Sequence, residues 1–461
     1  MIKRTLEQIQ NMVMGHGLKA KDKNISINGV SIDTRTIKKN QLFIPIKGER
    51  FNGHKFIQSA IDNGAIASLW CESEPKPDVD IPLIFVKNTV DAIQRLSKKY
   101  RNQLSTKIIG ITGSNGKTST KDILSSILKT KYKTHKTYGN LNNHLGVPLT
   151  LLSMDEDTEM AVIEMGMSSL GEIEVLTNIA TPDAAIITNI GEAHLQDLKS
   201  KENIIKAKLE IVKGLKRDGL FVYNGDDPRL SSAVDQLNLK QKTRTFGENS
   251  SNDYVLKAIS IDYKGLSFEI PSQMSPTLFL PMLGSHQIYN ATAAIAVAKH
   301  FGISFGSIKE GLKNVNLTKM RSELIHGDGF DILNDSYNAN PPSTKAALDT
   351  IYPLNNYKQK IVVFGDMLEL GDQEIHMHEE IGDIIDLDKI DYFFTIGTLA
   401  KYAAKKAQTK TDKNIILSFT NKNKLVESIK DVLKDNSLIL LKGSRGLALE
   451  EVAEALLNKK N

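Results

Sequence analysis

Four short apolar runs, KIIGIT at 107–112, MAVIEMG at 160–166, AAIITNI at 184–190 and GLFVYNG at 219–225, each lead into sequence with helical spacing. Strands without a polar face, alternating with amphipathic helices, must lie in a parallel sheet covered on both sides. A second series begins near Arg321: FDILND, KIVVFGD, YFFTIG and SLILLKG, again separated by helical stretches. Ahead of both, residues 1 to about 104 mix the strand-like runs QLFIPIKG, AIASLW and IPLIFV with a helical stretch from Ala92 to Tyr100. A chain of 461 residues is too long for one ordinary core. The expected fold class is α/β in three domains: 1–104, a central parallel-sheet ATPase-like domain at 105–316, and a Rossmann-like domain at 317–461. The polar segment Tyr100–Ser105 reads as the first linker, and PTLFLPMLGSHQIYNATAAIAVAKHF as a strand followed by an alanine-rich helix.

Charge excludes some partners. The net +5 is small, and 59 basic residues are dispersed among 54 acidic ones, so a solvated surface is expected and no nucleic-acid footprint. The single cysteine, Cys71, forms no intramolecular disulfide and suits a reducing compartment. The start, MIKRTLEQIQNM, lacks the apolar core of a signal peptide, and no run reaches the roughly 18 apolar residues of a membrane span. A cytoplasmic chain with no membrane insertion is expected, and a monomer.

KIIGITGSNGKTSTKDILSSIL, residues 107–128, joins strand, glycine loop and helix in the order that aims backbone N–H groups at an anion. Ile123, Leu124, Ile127 and Leu128 share one helical face. The loop residues Gly113, Ser114, Asn115, Gly116, Lys117, Thr118 and Ser119 are expected to hold a nucleoside triphosphate. Lys117 would reach the β- and γ-phosphates, and the Thr118 hydroxyl would meet Mg²⁺. The strict pattern GxxxxGK[ST] is not met, because Ile111 stands at its first glycine. The guanine-reading NKxD is absent, which weakens the reading as a switch GTPase.

Three polar residues stand where apolar ones are expected. Glu164 ends the run MAVIE, at the sheet edge where parallel sheets take ligands. His194 follows AAIITNI. Lys208 lies within the helical stripe Ile204, Ile205, Ile211, Val212, Leu215, whereas Lys206 and Lys213 point elsewhere. Singly these are commonplace: a capping carboxylate, a hydrogen-bonded imidazole, a lysine reaching for water. Together, beside a phosphate loop, they read as a cation site, with Lys208 as a buried amine of depressed pKa. Elsewhere, Lys442-Gly443-Ser444-Arg445-Gly446 follows a strand and precedes a helix, like an anion-binding turn. His376 and His378, two apart, share no helical face and read as surface or substrate-side residues.

The chain resembles the Mur ligases, ATP-dependent enzymes that build the peptide stem of the peptidoglycan precursor. ITGSNGKTST matches their TGxxGKT loop, which accounts for Ile111. KTYGNLNNHLGVPLTLL, EMGMSSLGEI, TNIGEAHL, KAKLEI, GSHQIYNATAAIA and MRSELI follow in the family's order. NDSYNANPPS and VVFGDMLELG resemble the branch that adds a dipeptide, and the DNPR-type motif of the diaminopimelate-adding branch is absent. SIDTRTIKKNQLFIPIKGERFNGHKFI resembles the uridine-nucleotide segment, with Asn40 and Gln41 where glycine and an acidic residue are usual, and Asn52 for aspartate.

The resemblance implies ligation of D-alanyl-D-alanine to UDP-N-acetylmuramoyl-tripeptide through an acyl phosphate, using ATP and Mg²⁺. It implies that Thr118 and Glu164 hold one Mg²⁺ and His194 another, with Lys208 carbamylated in many members. Catalytic work would fall to Lys117, His194 and Lys208. Asn290 and Arg321 would contact the nucleotide, and Asp335 its ribose. Ser31, Asp33, Arg35, Asn140 and Asn143 would face the UDP-substrate, and Tyr337, Asn338 and Asn340 the dipeptide. A ligase adding L-lysine or diaminopimelate is the nearer alternative, against which NDSYNANP and GDMLELG argue. A folylpolyglutamate synthase would not need the first hundred residues. Closure of the third domain onto the second is also implied.

Overall fold

Each apolar series becomes its own parallel sheet in a computed structural model that describes residues 1–49, 51–191 and 198–458. The central sheet has seven parallel strands, in the spatial order 254–255, 242–247, 220–224, 184–187, 107–112, 160–164 and 134–136. Alternation decides its two faces. Ile109, Ile111, Val162, Ile186 and Val222 pack under the helices Lys117–Leu128 and His286–His300, and Ile108, Ala161, Ile163, Ala185 and Phe221 pack on the opposite side. The second of those helices is the alanine-rich one, and its small side chains let it lie close against the first. Chain order reverses at Lys107–Thr112, which has Met160–Glu164 on one side and Ala184–Ile187 on the other. In such sheets the crevice at the carboxyl ends of the switch strands takes the ligand. Here the glycine loop, Glu164 and Thr188–Gly191 all emerge there.

The third sheet runs Glu323–His326, Phe330–Asp335, Ser437–Lys442, Gln359–Gly365, Tyr392–Ile396 and Ile416–Phe419, parallel except for its first strand. The first sheet is smaller: Val30–Ser31, Gln41–Phe43, Ala65–Cys71 and Leu83–Val86, all parallel. Its departures from the family pattern keep the geometry. Asn40 adopts φ 68°, a left-handed conformation that asparagine tolerates better than most residues. Gln41 Oε1 accepts the Lys38 N–H, and Asn52 Oδ1 accepts the His54 N–H as an aspartate would. Among the described residues no helix is long and apolar enough to cross a membrane.

The expected linker at Tyr100–Ser105 needs correcting. The helix runs Thr89–Asn102, and Tyr100 and Arg101 are buried. The Tyr100 hydroxyl donates to the Met154 carbonyl, and Arg101 Nε to that of Ala180. Polar composition suggested a loose segment, but both side chains are long enough to reach the central domain. Arg101 also lies 3.6 Å from Asp183, whose carboxylate takes Lys107, Lys216 and the Ile108 N–H at 3.0, 2.8 and 3.0 Å. Burial alone would raise the Asp183 pKa, but the hydrogen bonds from Lys216, Ile108 and Lys107 outweigh it and hold the carboxyl below its ordinary value. Asp183→Asn is therefore expected to cost about 2 kcal/mol at neutral pH. A depressed carboxyl stabilises above its unfolded pKa and loses that contribution as pH falls through the folded value. Denaturant midpoints of variant and parent should thus differ at pH 7, and the difference should shrink as pH falls below 3.8 through the folded value.

His378 also departs from expectation. It is fully buried: Nε2 accepts the Met367 N–H and Nδ1 donates to the Glu374 carbonyl, so burial keeps the ring neutral. His376 is the surface residue, paired with Glu380.

Candidate active site

Lys117–Leu128 starts directly at the loop, with Gly116 at φ 80°. A Cβ on Gly116 would come 2.3 Å from Asn290 Oδ1, and one on Gly113 would come 1.9 Å from Thr188 Oγ1. Both positions therefore require glycine. The loop is braced from the neighbouring strand: Asn189 Oδ1 accepts the Asn115 N–H, Thr188 Oγ1 and Asn189 Nδ2 donate to the Asn115 carbonyl, and Ser114 Oγ accepts the Gly191 N–H. Lys117 Nζ turns back onto the Gly113 and Ser114 carbonyls at 2.6 and 3.2 Å. Desolvation brings its pKa down to about 8; Glu164 opposes the shift and Arg321 adds to it.

Glu164 is buried at its strand end. It accepts the Thr118 hydroxyl at 3.0 Å and Asn142 Nδ2 at 2.9 Å. Lys208 is also buried, on the helix Lys201–Leu209 that Ser200 caps, and the stripe Ile204, Ile205, Ile211, Val212, Leu215 is buried in the core. No hydrogen bond or ion pair to Lys208 exists among the described residues. Desolvation, and then the Lys117 charge, push its amine well below the ordinary lysine range. His194 lies outside the described residues.

These groups open on one cavity of about 1280 Å³, lined from the central and third domains, with Gln94 from the first. Ser114 to Ser119, Asn140, Asn143, Glu164, Lys208, Asn290, Arg321, Asp335, Tyr337, Asn338 and Asn340 all line it. Gly113 contributes through its carbonyl. Arg321 lies over the Tyr337 ring at 3.9 Å, and Asn340 Nδ2 reaches Asn115 Oδ1 at 3.1 Å. Asn143 has a second duty, its Oδ1 capping Leu145 and Gly146. Ser31, Asp33 and Arg35 do not line this cavity. They form a turn of their own, in which Arg35 pairs with Asp33 at 2.7 Å. The turn at 442–446 differs from expectation. Ser444 accepts the Leu368 N–H, Arg445 pairs with Glu450, and only buried Lys442 faces the cavity, bound to Asp335 at 2.7 Å.

Comparison with known proteins agrees with this arrangement. Residues 111–298 match the Mur ligase middle domain, 320–445 the Mur ligase glutamate ligase domain, and 26–101 the Mur ligase family catalytic domain. The UDP-N-acetylmuramoyl-tripeptide–D-alanyl-D-alanine ligase of Bacillus subtilis is 46% identical over 99% of each chain. The chain belongs to the Mur ligase family. Its fold is likewise similar to a crystal structure of MurF from Acinetobacter baumannii, with TM-score 0.88, 30% identity and 99% of each chain covered. For the Thermotoga maritima MurF ligase in complex with ADP the TM-score is 0.79 at 29% identity, covering 93% of this chain and 97% of that one.

Sequence reasoning passed over several groups of this Mur ligase's cavity. Asn142, which holds Glu164, lies between the two asparagines that were chosen, and nothing local separates the three. Asn189 and Thr188 follow a strand already singled out, so their place at the switch edge was an available signal.

Proposed function

We propose that the chain joins D-alanyl-D-alanine to UDP-N-acetylmuramoyl-tripeptide with cleavage of ATP to ADP and phosphate. Residues 1–104 would hold the UDP end of the substrate, 105–316 the ATP, and 317–461 the dipeptide and part of the nucleotide. The reading rests chiefly on one observation: the glycine loop and the segment Tyr337–Asn340 open on the same cavity, with Asn340 touching Asn115. The tripeptide's carboxylate attacks the γ-phosphorus and ADP leaves. The dipeptide's neutral amine then attacks the acyl phosphate, phosphate departs, and the amine gives up a proton. Loop N–H groups and Lys117 bear the phosphate charge, and Arg321 meets it from the third domain. Asn290 lies against Gly116 and would contact the nucleotide, and Asp335, clamped by Lys442, would meet a ribose hydroxyl. Asn140 and Asn143 face the sugar-peptide, and Tyr337 and Asn338 the dipeptide.

The buried Glu164 carboxylate and the Thr118 hydroxyl are hard oxygen donors side by side, a set that fits Mg²⁺. Bound there, the ion would screen the repulsion between carboxylate and phosphate. His194 is assigned to a second ion by family resemblance alone. Lys208 suits carbamylation, since CO₂ would turn a buried amine with no partner among the described residues into an anion able to accept hydrogen bonds.

Release of ADP that requires both the UDP-tripeptide and D-alanyl-D-alanine tests the proposal. Release with L-lysine in place of the dipeptide would move the assignment to the neighbouring ligase. Lys117 supplies a pH test. Phosphates bind its charged form, so ADP affinity should fall about tenfold per unit above pH 8, with proton uptake on binding. Calorimetry at pH 8 in two buffers of different ionisation enthalpy reads that uptake. Affinity that stays flat to pH 9.5 would remove Lys117 from the phosphates.

A further inference from the structure

The helix Lys117–Leu128 carries two adjacent charges that phosphate chemistry does not use. Lys121 and Asp122 are each 1% exposed. With Thr118 they follow the spacing i, i+3, i+4, so all three share the face turned toward Glu164, away from the apolar stripe that packs the core. Asp122 Oδ1 takes Lys136 Nζ at 2.6 Å, and its Oδ2 accepts the backbone N–H of Thr318 at 2.7 Å. Lys121 Nζ lies 3.5 Å from Asp122, 3.9 Å from Glu164 Oε2, and donates to the Thr318 hydroxyl at 3.4 Å.

Thr318 belongs to the segment that enters the third sheet. Three residues further on is Arg321, flanked by Met320 and Ser322 at φ 62° and 50°. The Ser322 N–H is held by Asp335, and the Met320 carbonyl accepts the Tyr337 N–H. Arg321 Nε is buried without a partner among the described residues. The segment is thus tied to the phosphate helix at one end and to the third sheet at the other, with Arg321 between.

We propose that Lys121 and Asp122 are positioning residues: they fasten the interdomain segment to the helix behind the phosphate loop and thereby hold Arg321 toward the γ-phosphate, which ADP lacks. This rests on the reading that the loop holds nucleotide. Buried charges are costly, and apolar groups of similar size would serve a helix's stability as well. Here Asp122 instead spends one oxygen on a backbone N–H 196 residues away, and Lys121 donates to the hydroxyl of that same residue. Lys121 also stands between Glu164 and Asp122, 3.9 and 3.5 Å from them.

Lys121→Met, Lys121→Arg and Thr318→Val test this, with exposed Lys319 as a trypsin site in the segment itself. Lys121→Met is expected to lower kcat about tenfold or more while ADP affinity stays within about threefold. Cleavage after Lys319 should quicken about fivefold or more, because local opening sets its rate. Lys121→Arg should restore most of both, and Thr318→Val should move both in the same direction by less. Ordinary kcat with unchanged cleavage in Lys121→Met overturns the proposal, as does loss of ADP affinity in step with kcat. If Lys121→Met does not fold, Thr318→Val decides alone, and parental behaviour in both measurements overturns it. Failure of the parent protein to bind ADP would instead sink the nucleotide reading.

Discussion

Lys117→Ala is expected to lower kcat/KM about a thousandfold, ~4 kcal/mol of transition-state stabilisation. The ammonium already sits over the loop, fastened to the Gly113 and Ser114 carbonyls, so it needs little rearrangement to meet the charge that gathers on the transferred phosphoryl group. Alanine also frees those carbonyls to point into a site meant for anions. The global fold should survive, because the loop is braced independently through Asn189, Thr188 and Ser114. Steady-state ADP release, with an unfolding curve alongside, checks both parts. Near-parental turnover would remove Lys117 from the chemistry.

Lys208→Ala should separate activity from stability. A buried amine with no partner among the described residues contributes little to folding, so the unfolding midpoint should hold or rise. Activity should nevertheless fall about a hundredfold or more if the amine serves as its carbamate beside the phosphates. Acetate or another short carboxylate, small enough to enter the space that alanine leaves, is then expected to restore part of the rate. Loss of stability with activity retained would make Lys208 a structural residue.

The sheets were legible because burial on both faces removes polar residues from a strand, and that leaves a mark in local composition. Lys208 was legible for the converse reason, a cation at helical spacing within an apolar stripe. What could not be read was any pairing made by long-range packing. Asp122 looks like an ordinary helix surface residue until Thr318 is seen to cross it. YRNQLS looks like a tether until Tyr100 and Arg101 are seen to reach Met154 and Ala180. Asn40 illustrates the reverse: a departure from the family's usual glycine kept the backbone conformation that glycine serves. In the asparagine cluster the segment was legible but the Asn142 bond to Glu164 was not, since 140, 142 and 143 differ only in where the turn aims them.

Asn340 holds two posts with one amide. Its oxygen caps the helix Pro341–Ile351 by accepting the Ser343 N–H, and its nitrogen crosses to Asn115. Aspartate would keep the first post and set a carboxylate where phosphate must come; serine would keep it and fall short of the loop. A substitution here therefore meets two unrelated demands at once, and an alanine would blend a weakened helix with a broken bridge.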